Sequence, residues 1–276
     1  MKYLPLPAQA GDAYFAELWA EAAWQSHQQA WANANAIYRA TGGDPWQVDA
    51  APFDDDVKDA LRDLWKGRKN GRAVRAIRAS KLSCCPMCGS QTTGSVDHYL
   101  PRQQFPEFSI LFENLLPACV HCNSASKGNT FRGADVPERF IHPYYDQWAD
   151  RALWRTIPQP PFEAATFICL PEEELPDELK AVVRFHLAHV LGEQWHLFNE
   201  RLWGDLSRLL IGGPARARPF GIADVHAGLD GRIWESDLFN GSNSWQSALL
   251  RGIRASDDAM EHLIAEVGAD LAPSPA

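Results

Sequence analysis

The sequence predicts an α+β fold that is predominantly helical, with a small metal-stapled hairpin module at its centre. Three observations lead there. Apolar residues recur at helical spacing on both sides of the middle of the chain, and two Cys-x-x-Cys pairs (Cys85/Cys88 and Cys119/Cys122) sit within that middle. Between and beside the pairs lie two short segments that read as strands. The implied division is a helical region over residues 1–81, a metal module over 82–139 and a mainly helical region over 140–276. A chain of 276 residues can bury a core of its own, so a metal need not be its only stabiliser.

Taken in order, the stretch from about Gly11 to Thr41 reads as one helix with Phe15, Leu18, Trp19, Ala30, Ala34, Ile37 and Tyr38 on its apolar side. Gly42-Gly43-Asp44-Pro45 stops it. A second helix starts near Asp54-Asp55-Asp56, acids suited to the positive end of its dipole, and runs to about Lys66. A third, short one carries Arg72, Arg75 and Arg78 every three residues, with Val74 and Ile77 opposite. Ser95-Val96-Asp97-His98 and Leu115-Leu116-Pro117-Ala118 read as strands, and a helix starts at Val120 and reaches Lys127. The Pro- and aromatic-rich residues 152–171 suggest a further strand or two. One long helix is expected from Asp177 to about Ile211, ended by Gly212-Gly213-Pro214, and a last one from about Ser244 to Val267 before a frayed tail at 272–276.

The chemistry concentrates in the middle. Four thiolates in two such pairs can hold one zinc tetrahedrally, a closed and structural arrangement. Cys84 and His121 are the competing ligands next to Cys85 and inside the second pair. Closing the knot carries Asn123 towards Asp97 and His98. A carboxylate and an amide carbonyl are hard oxygen donors suited to Mg²⁺, and a neutral histidine beside them can take a proton from water. Neighbours on a regular strand point to opposite faces, so Asp97 and His98 converge only if the strand bends.

These residues, Asp97-His98-x-x-Pro101, then Asn114-Leu115-x-Pro117-x-Cys119-x-x-Cys122-Asn123, then Lys127, resemble the HNH (ββα-metal) endonuclease motif in its zinc-stapled form. The resemblance covers about 45 of the 276 residues. It implies a phosphodiester hydrolase in which His98 is general base, Asp97 and Asn123 hold one Mg²⁺ or Mn²⁺, and Asn114 braces the loop that orients His98. The third position is Asn rather than His, as in the HNH domain of RNA-guided CRISPR nucleases. Family habit suggests a bacterial or phage setting such as restriction or antiviral defence.

Composition limits the partners. A net charge of −9 argues against a protein that coats nucleic acid along its whole surface. Residues 66–81, however, hold seven basic side chains and no acid, a placed electrostatic site. Arg72, Arg75, Arg78, Arg102 and Lys127 are the expected contacts to DNA, most naturally double-stranded. The C-terminal helical region is a candidate surface for a protein partner. The apolar runs fall short of the roughly 18 residues that suggest a membrane span. The N-terminus lacks the apolar core of a secretory signal, and the clustered cysteines suit a reducing compartment, so a cytoplasmic location is expected. Two other functions fit the same motif: a zinc-ribbon adaptor without catalysis, and an RNase using the same site.

Overall fold

The structure, a computed structural model, describes residues 1–123, 127–212 and 221–271. The expected continuation of a helix through 124–126, the Gly213-Pro214 stop and the tail at 272–276 lie outside these residues. The described residues are helical for the most part, with two separate two-stranded antiparallel sheets among them.

The N-terminal stretch is not one helix. It forms a 3-10 turn at Asp12–Phe15, then α1 (Ala16–Ala20), a non-helical passage at 21–27 and α2 (Gln28–Thr41). The reason lies in the tryptophans. On one straight helix Trp19 would sit about 120° around the axis from Trp31. The break lets Trp19 and Trp24 both reach Trp31, with ring centroids 6.4 and 5.2 Å away, and Phe15 stacks on Trp19 at 5.2 Å. Burying these rings together outweighs a few lost helical hydrogen bonds. Helix α3 (Asp55–Arg68) starts on the expected acids and buries Leu61 and Trp65. After a turn at Gly71, α4 (Arg72–Arg78) buries Val74 and Ile77 against the first sheet.

That sheet pairs β1 (Ser95–His98) with β2 (Leu115–Ala118), placing Asp97 opposite Leu116 and His98 opposite Leu115. Residues 120–123 then turn helical. The second sheet pairs β3 (Trp154–Gln159) with β4 (Thr166–Pro171). The long helix expected from 177 to 211 is two, α5 (Asp177–Val190) and α6 (Glu193–Ile211), which meet at an extended Gly192. A Cβ at Gly192 would lie 3.0 Å from His121 Nε2, so the break lets the chain pass close over the second cysteine pair. The last helix is likewise split into α8 (Trp245–Arg254) and α9 (Asp257–Leu271), with the Ser256 hydroxyl accepting from the Ala259 N–H at 3.3 Å as a fresh cap. Between α6 and α8 in sequence, α7 (Ile222–Asn240) was not expected from the sequence. It buries Val225 and Leu229 but exposes Trp234, Leu238 and Phe239 at 69, 62 and 64%. Apolar residues on both faces leave no single stripe for periodicity to detect.

One continuous buried cluster runs from Met1 to Val267 and draws on all three stretches of the chain. Among the described residues no helix is long and apolar enough to cross a membrane.

Candidate functional site

The four cysteines come together as the pair spacing requires. Cys85, Cys88, Cys119 and Cys122 are all buried, and their sulfurs lie within 4.8 Å of one another. The Cys88 and Cys119 sulfurs are 3.8 Å apart, close to the edge of about 3.8 Å that Zn–S bonds of ~2.3 Å give in a tetrahedron. The Cys119 N–H donates to Cys85 Sγ and the Cys122 N–H to Cys119 Sγ, both at 3.3 Å, which favours thiolate on the accepting sulfurs. Four sulfurs this close cannot all ionise without a cation among them. These cysteines can hold a zinc ion. Cys84 is buried but stands outside the group, as does His121.

The loop carrying the first pair is held from outside the module. Its four successive carbonyls each accept a hydrogen bond from a distant part of the chain. Pro86 O takes the Lys2 N–H at 3.3 Å, and Met87 O takes His186 Nε2 at 2.6 Å. Cys88 O takes the Trp245 indole N–H at 2.6 Å, and Gly89 O takes the Trp245 backbone N–H at 3.2 Å. His186 Nδ1 also accepts from the Ile141 N–H at 2.9 Å, so its proton sits on Nε2. Burial pushes His186 down to about 3, keeping it neutral. Gly89 has φ +80, and a Cβ there would lie 2.1 Å from Asn243 O. Only glycine admits so close an approach.

The second site is a cavity of about 430 Å³ along β1. Asp97, His98 and Asn123 line it together with Trp65, Lys69 and Arg78 from the α3–α4 pair, and Arg102, Gln103 and Asn129 from the loops. The alternation problem on β1 is resolved by the carboxylate curling along the strand: Asp97 Oδ1 accepts the next backbone N–H, that of His98, at 2.7 Å. His98 Nε2 lies 2.9 Å from Ser109 O. A carbonyl only accepts, so a neutral His98 carries its proton on Nε2 and its lone pair on Nδ1. Burial, and after it the nearby cations Arg102 and Lys127, push His98 down to about 3, against the pull of the Ser109 carbonyl.

Asn114 is fully buried and clips the loop between the strands. Its Oδ1 accepts the Leu100 N–H at 2.7 Å, and its Nδ2 donates to Leu100 O at 3.0 Å and Phe108 O at 3.1 Å. Phe108 adjoins Ser109, whose carbonyl orients His98, so the brace reaches the imidazole through one peptide. Tyr38 supports the brace from α2, its hydroxyl 3.1 Å from Asn114 Oδ1 and 3.0 Å from His142 Nε2.

Of the residues read from the sequence, Asp97, His98, Asn123, Arg78 and Arg102 share the cavity. Arg72 and Arg75 are exposed on α4 but do not line it. Lys127, expected at a phosphate, is turned inward and 3% exposed. Its ammonium donates to His98 O, to Tyr99 O at 2.6 Å, and lies 3.4 Å from Asp97 Oδ2. Three acceptors of the module surround a charge that would otherwise be buried unpaired, so this lysine is a brace in the structure and not a surface cation. Burial lowers its pKa and raises that of Asp97, each opposed by the attraction between them. Trp65, Lys69 and Asn129 were not singled out from the sequence as site residues. Lys69 lies within the basic run, but nothing local marks Trp65 as reaching β1.

A larger cavity, about 580 Å³, opens between the β3–β4 turn, α6 and α9 and is lined by Phe162, Trp203, His262 and exposed glutamates. In the smaller one a buried carboxylate, a neutral imidazole and three cationic side chains meet.

Among known proteins, a 64-residue stretch is 44% identical to Protein ea31 of Escherichia phage lambda, covering 23% of this chain and 21% of that protein. The chain thus spans about a fifth of that relative's length. No family model matches the chain, and no solved structure does.

Proposed function

We propose that the chain is a metal-dependent endonuclease of the HNH type that hydrolyses DNA phosphodiester bonds. The observation that carries this reading is the setting of His98. It is neutral, its tautomer is set by the Ser109 carbonyl, and it lines one cavity with Asp97, Asn123, Lys69, Arg78 and Arg102. Nδ1 of His98 takes a proton from water as the oxygen attacks phosphorus, and the bond to the departing sugar oxygen breaks. A base held near 3 is weak, but a polyanionic backbone in the cavity raises its proton affinity. Lys69, Arg78 and Arg102 offset the phosphate charge.

Asp97 and Asn123 are the residues that would hold Mg²⁺ or Mn²⁺. The donor chemistry fits: both are hard oxygen ligands lining the cavity, and Lys127 approaches Asp97 Oδ2 only at 3.4 Å, beyond a strong charge-assisted contact. When bound, such an ion supplies charge stabilisation at the phosphate and the leaving oxygen. The partial likeness to a phage lambda protein is compatible with a bacterial or phage setting, and restriction or antiviral defence in the cytoplasm is the setting proposed.

Incubation with supercoiled plasmid in Mg²⁺, Mn²⁺ or EDTA tests the reading, and metal-dependent nicking is the expected result. DNA bound but intact in every metal would instead make the protein an adaptor. Cleavage of RNA with DNA untouched would make it an RNase.

A further inference from the structure

We infer that Trp65, on a helix outside the metal-bearing hairpin, is a positioning residue for His98. The inference rests on the proposed hydrolytic role of that histidine. The Trp65 and His98 rings meet edge to face, centroids 4.6 Å apart and planes at 77°. Trp65 is 9% exposed and lines the same cavity as Asp97 and Asn123.

A single hydrogen bond from Nε2 to Ser109 O anchors one corner of the imidazole but leaves the ring free to swing about that point. A second contact at a large angle to the first removes that freedom. Trp65 supplies it, and aromatic pairs of this geometry hold their relative orientation by quadrupole attraction as well as by packing. Helix α3 is moreover tied to the loop that presents the Ser109 carbonyl. It packs on the 3-10 turn Pro106–Phe108, and Arg62 Nη2 donates to Gln103 O at 3.1 Å. Both contacts on His98 therefore share one support, and Nδ1 keeps its aim relative to the bound phosphate. Misplacing a reacting group by about 1 Å can cost up to ~100-fold in rate.

The test compares wild type with Trp65→Phe and Trp65→Leu. Single-turnover plasmid nicking should slow about tenfold or more in Trp65→Leu, with DNA affinity in the absence of Mg²⁺ and Mn²⁺ close to wild type and the protein, though less stable, still fully folded at the assay temperature. Trp65→Phe, which keeps an aromatic ring at the contact, should restore most of the rate. In the NMR spectrum of the zinc-replete protein without Mg²⁺ or Mn²⁺, the His98 ring protons should move in Trp65→Leu as the indole ring current is lost. An unchanged rate in Trp65→Leu, or a loss of affinity in place of rate, would overturn the inference while leaving the hydrolytic reading intact. So would a rate in Trp65→Phe as low as in Trp65→Leu. Should Trp65→Leu fold poorly, Trp65→Phe and Trp65→Met decide: equal rates in these two contradict an aromatic role. Absence of metal-dependent nicking by the wild type would remove the reading and the inference together.

Discussion

The cysteine cluster and the β1 cavity are built from the same hairpin, yet they are held in opposite ways. At the cluster every sulfur is buried, and four consecutive carbonyls of its first loop are secured by Lys2 near the start of the chain and by His186 and Trp245 in the C-terminal region. At the cavity Asp97 and His98 are themselves buried, but the opening they line is shared with Asn123, which is exposed. Support from distant parts of the chain is concentrated where a structural metal is proposed, and access where chemistry is proposed. One hairpin serves both because β1 leaves the first cysteine pair and β2 enters the second. The C-terminal region is thus, whatever else it contacts, part of the support of the module.

The sharpest way to break this contrast is at the cluster. Cys85→Ser should lose stoichiometric zinc and lower the melting temperature by at least about 10 °C, because metal binding and folding are coupled there. Unchanged metal content and unchanged melting would mean that the four sulfurs hold no ion.

Asn114 stands between the two regions, so its removal should affect both. Asn114→Ala leaves the Leu100 N–H and C=O buried without partners, a loss of about 3 kcal/mol in denaturant titrations. Activity should fall further than stability alone explains, since the Ser109 carbonyl is released with the loop.

A smaller effect is expected at Glu107, beside the loop that presents Ser109. It is fully buried; Oε1 accepts the Ala51 N–H at 2.7 Å and Oε2 has no hydrogen-bond partner among the described residues. Burial raises it to about 7, against the pull of the Ala51 N–H. The folded state therefore binds this proton more tightly than the unfolded chain. Stability from this group should be greatest below about pH 4.5, fall as pH rises through about 7, and level off, a change of about 3 kcal/mol. Thermal melts across that range should show the slope, and Glu107→Gln should flatten it and melt higher than wild type at pH 8.

The smallest effect belongs to the exposed arginines. Neutralising Arg72 and Arg75, which lie outside the cavity, should weaken DNA binding modestly and reduce the salt slope by less than about one per residue. Arg78 and Arg102, at the cavity wall, should each affect the cleavage rate as well. Equal behaviour of the two pairs would erase the distinction drawn between them.

What was legible in the sequence follows from how local each signal is. The strands Ser95–His98 and Leu115–Ala118 were readable to the residue because Gly94 stands directly before the first and the second cysteine pair directly after the second. The grouping of Asp97, His98 and Asn123 followed from the covalent spacing of the cysteines. Helix breaks at 21–27, Gly192 and 255–256 were not legible, because helical periodicity continues across them and the causes are distant rings, a close pass over His121 and a new cap. Lys127 read as a surface cation because burial by Asp97 and two carbonyls leaves no local mark. Trp65 was hidden for the same reason: its contact with His98 crosses 33 residues of chain.

The central claim is that one hairpin separates a structural metal from a hydrolytic site, and His98→Ala tests it most directly when zinc content and plasmid nicking are measured on the same sample. Full retention of zinc, a melting temperature close to wild type, and metal-dependent nicking reduced at least about 100-fold are expected. Nicking at the wild-type rate in a zinc-replete His98→Ala protein would contradict it.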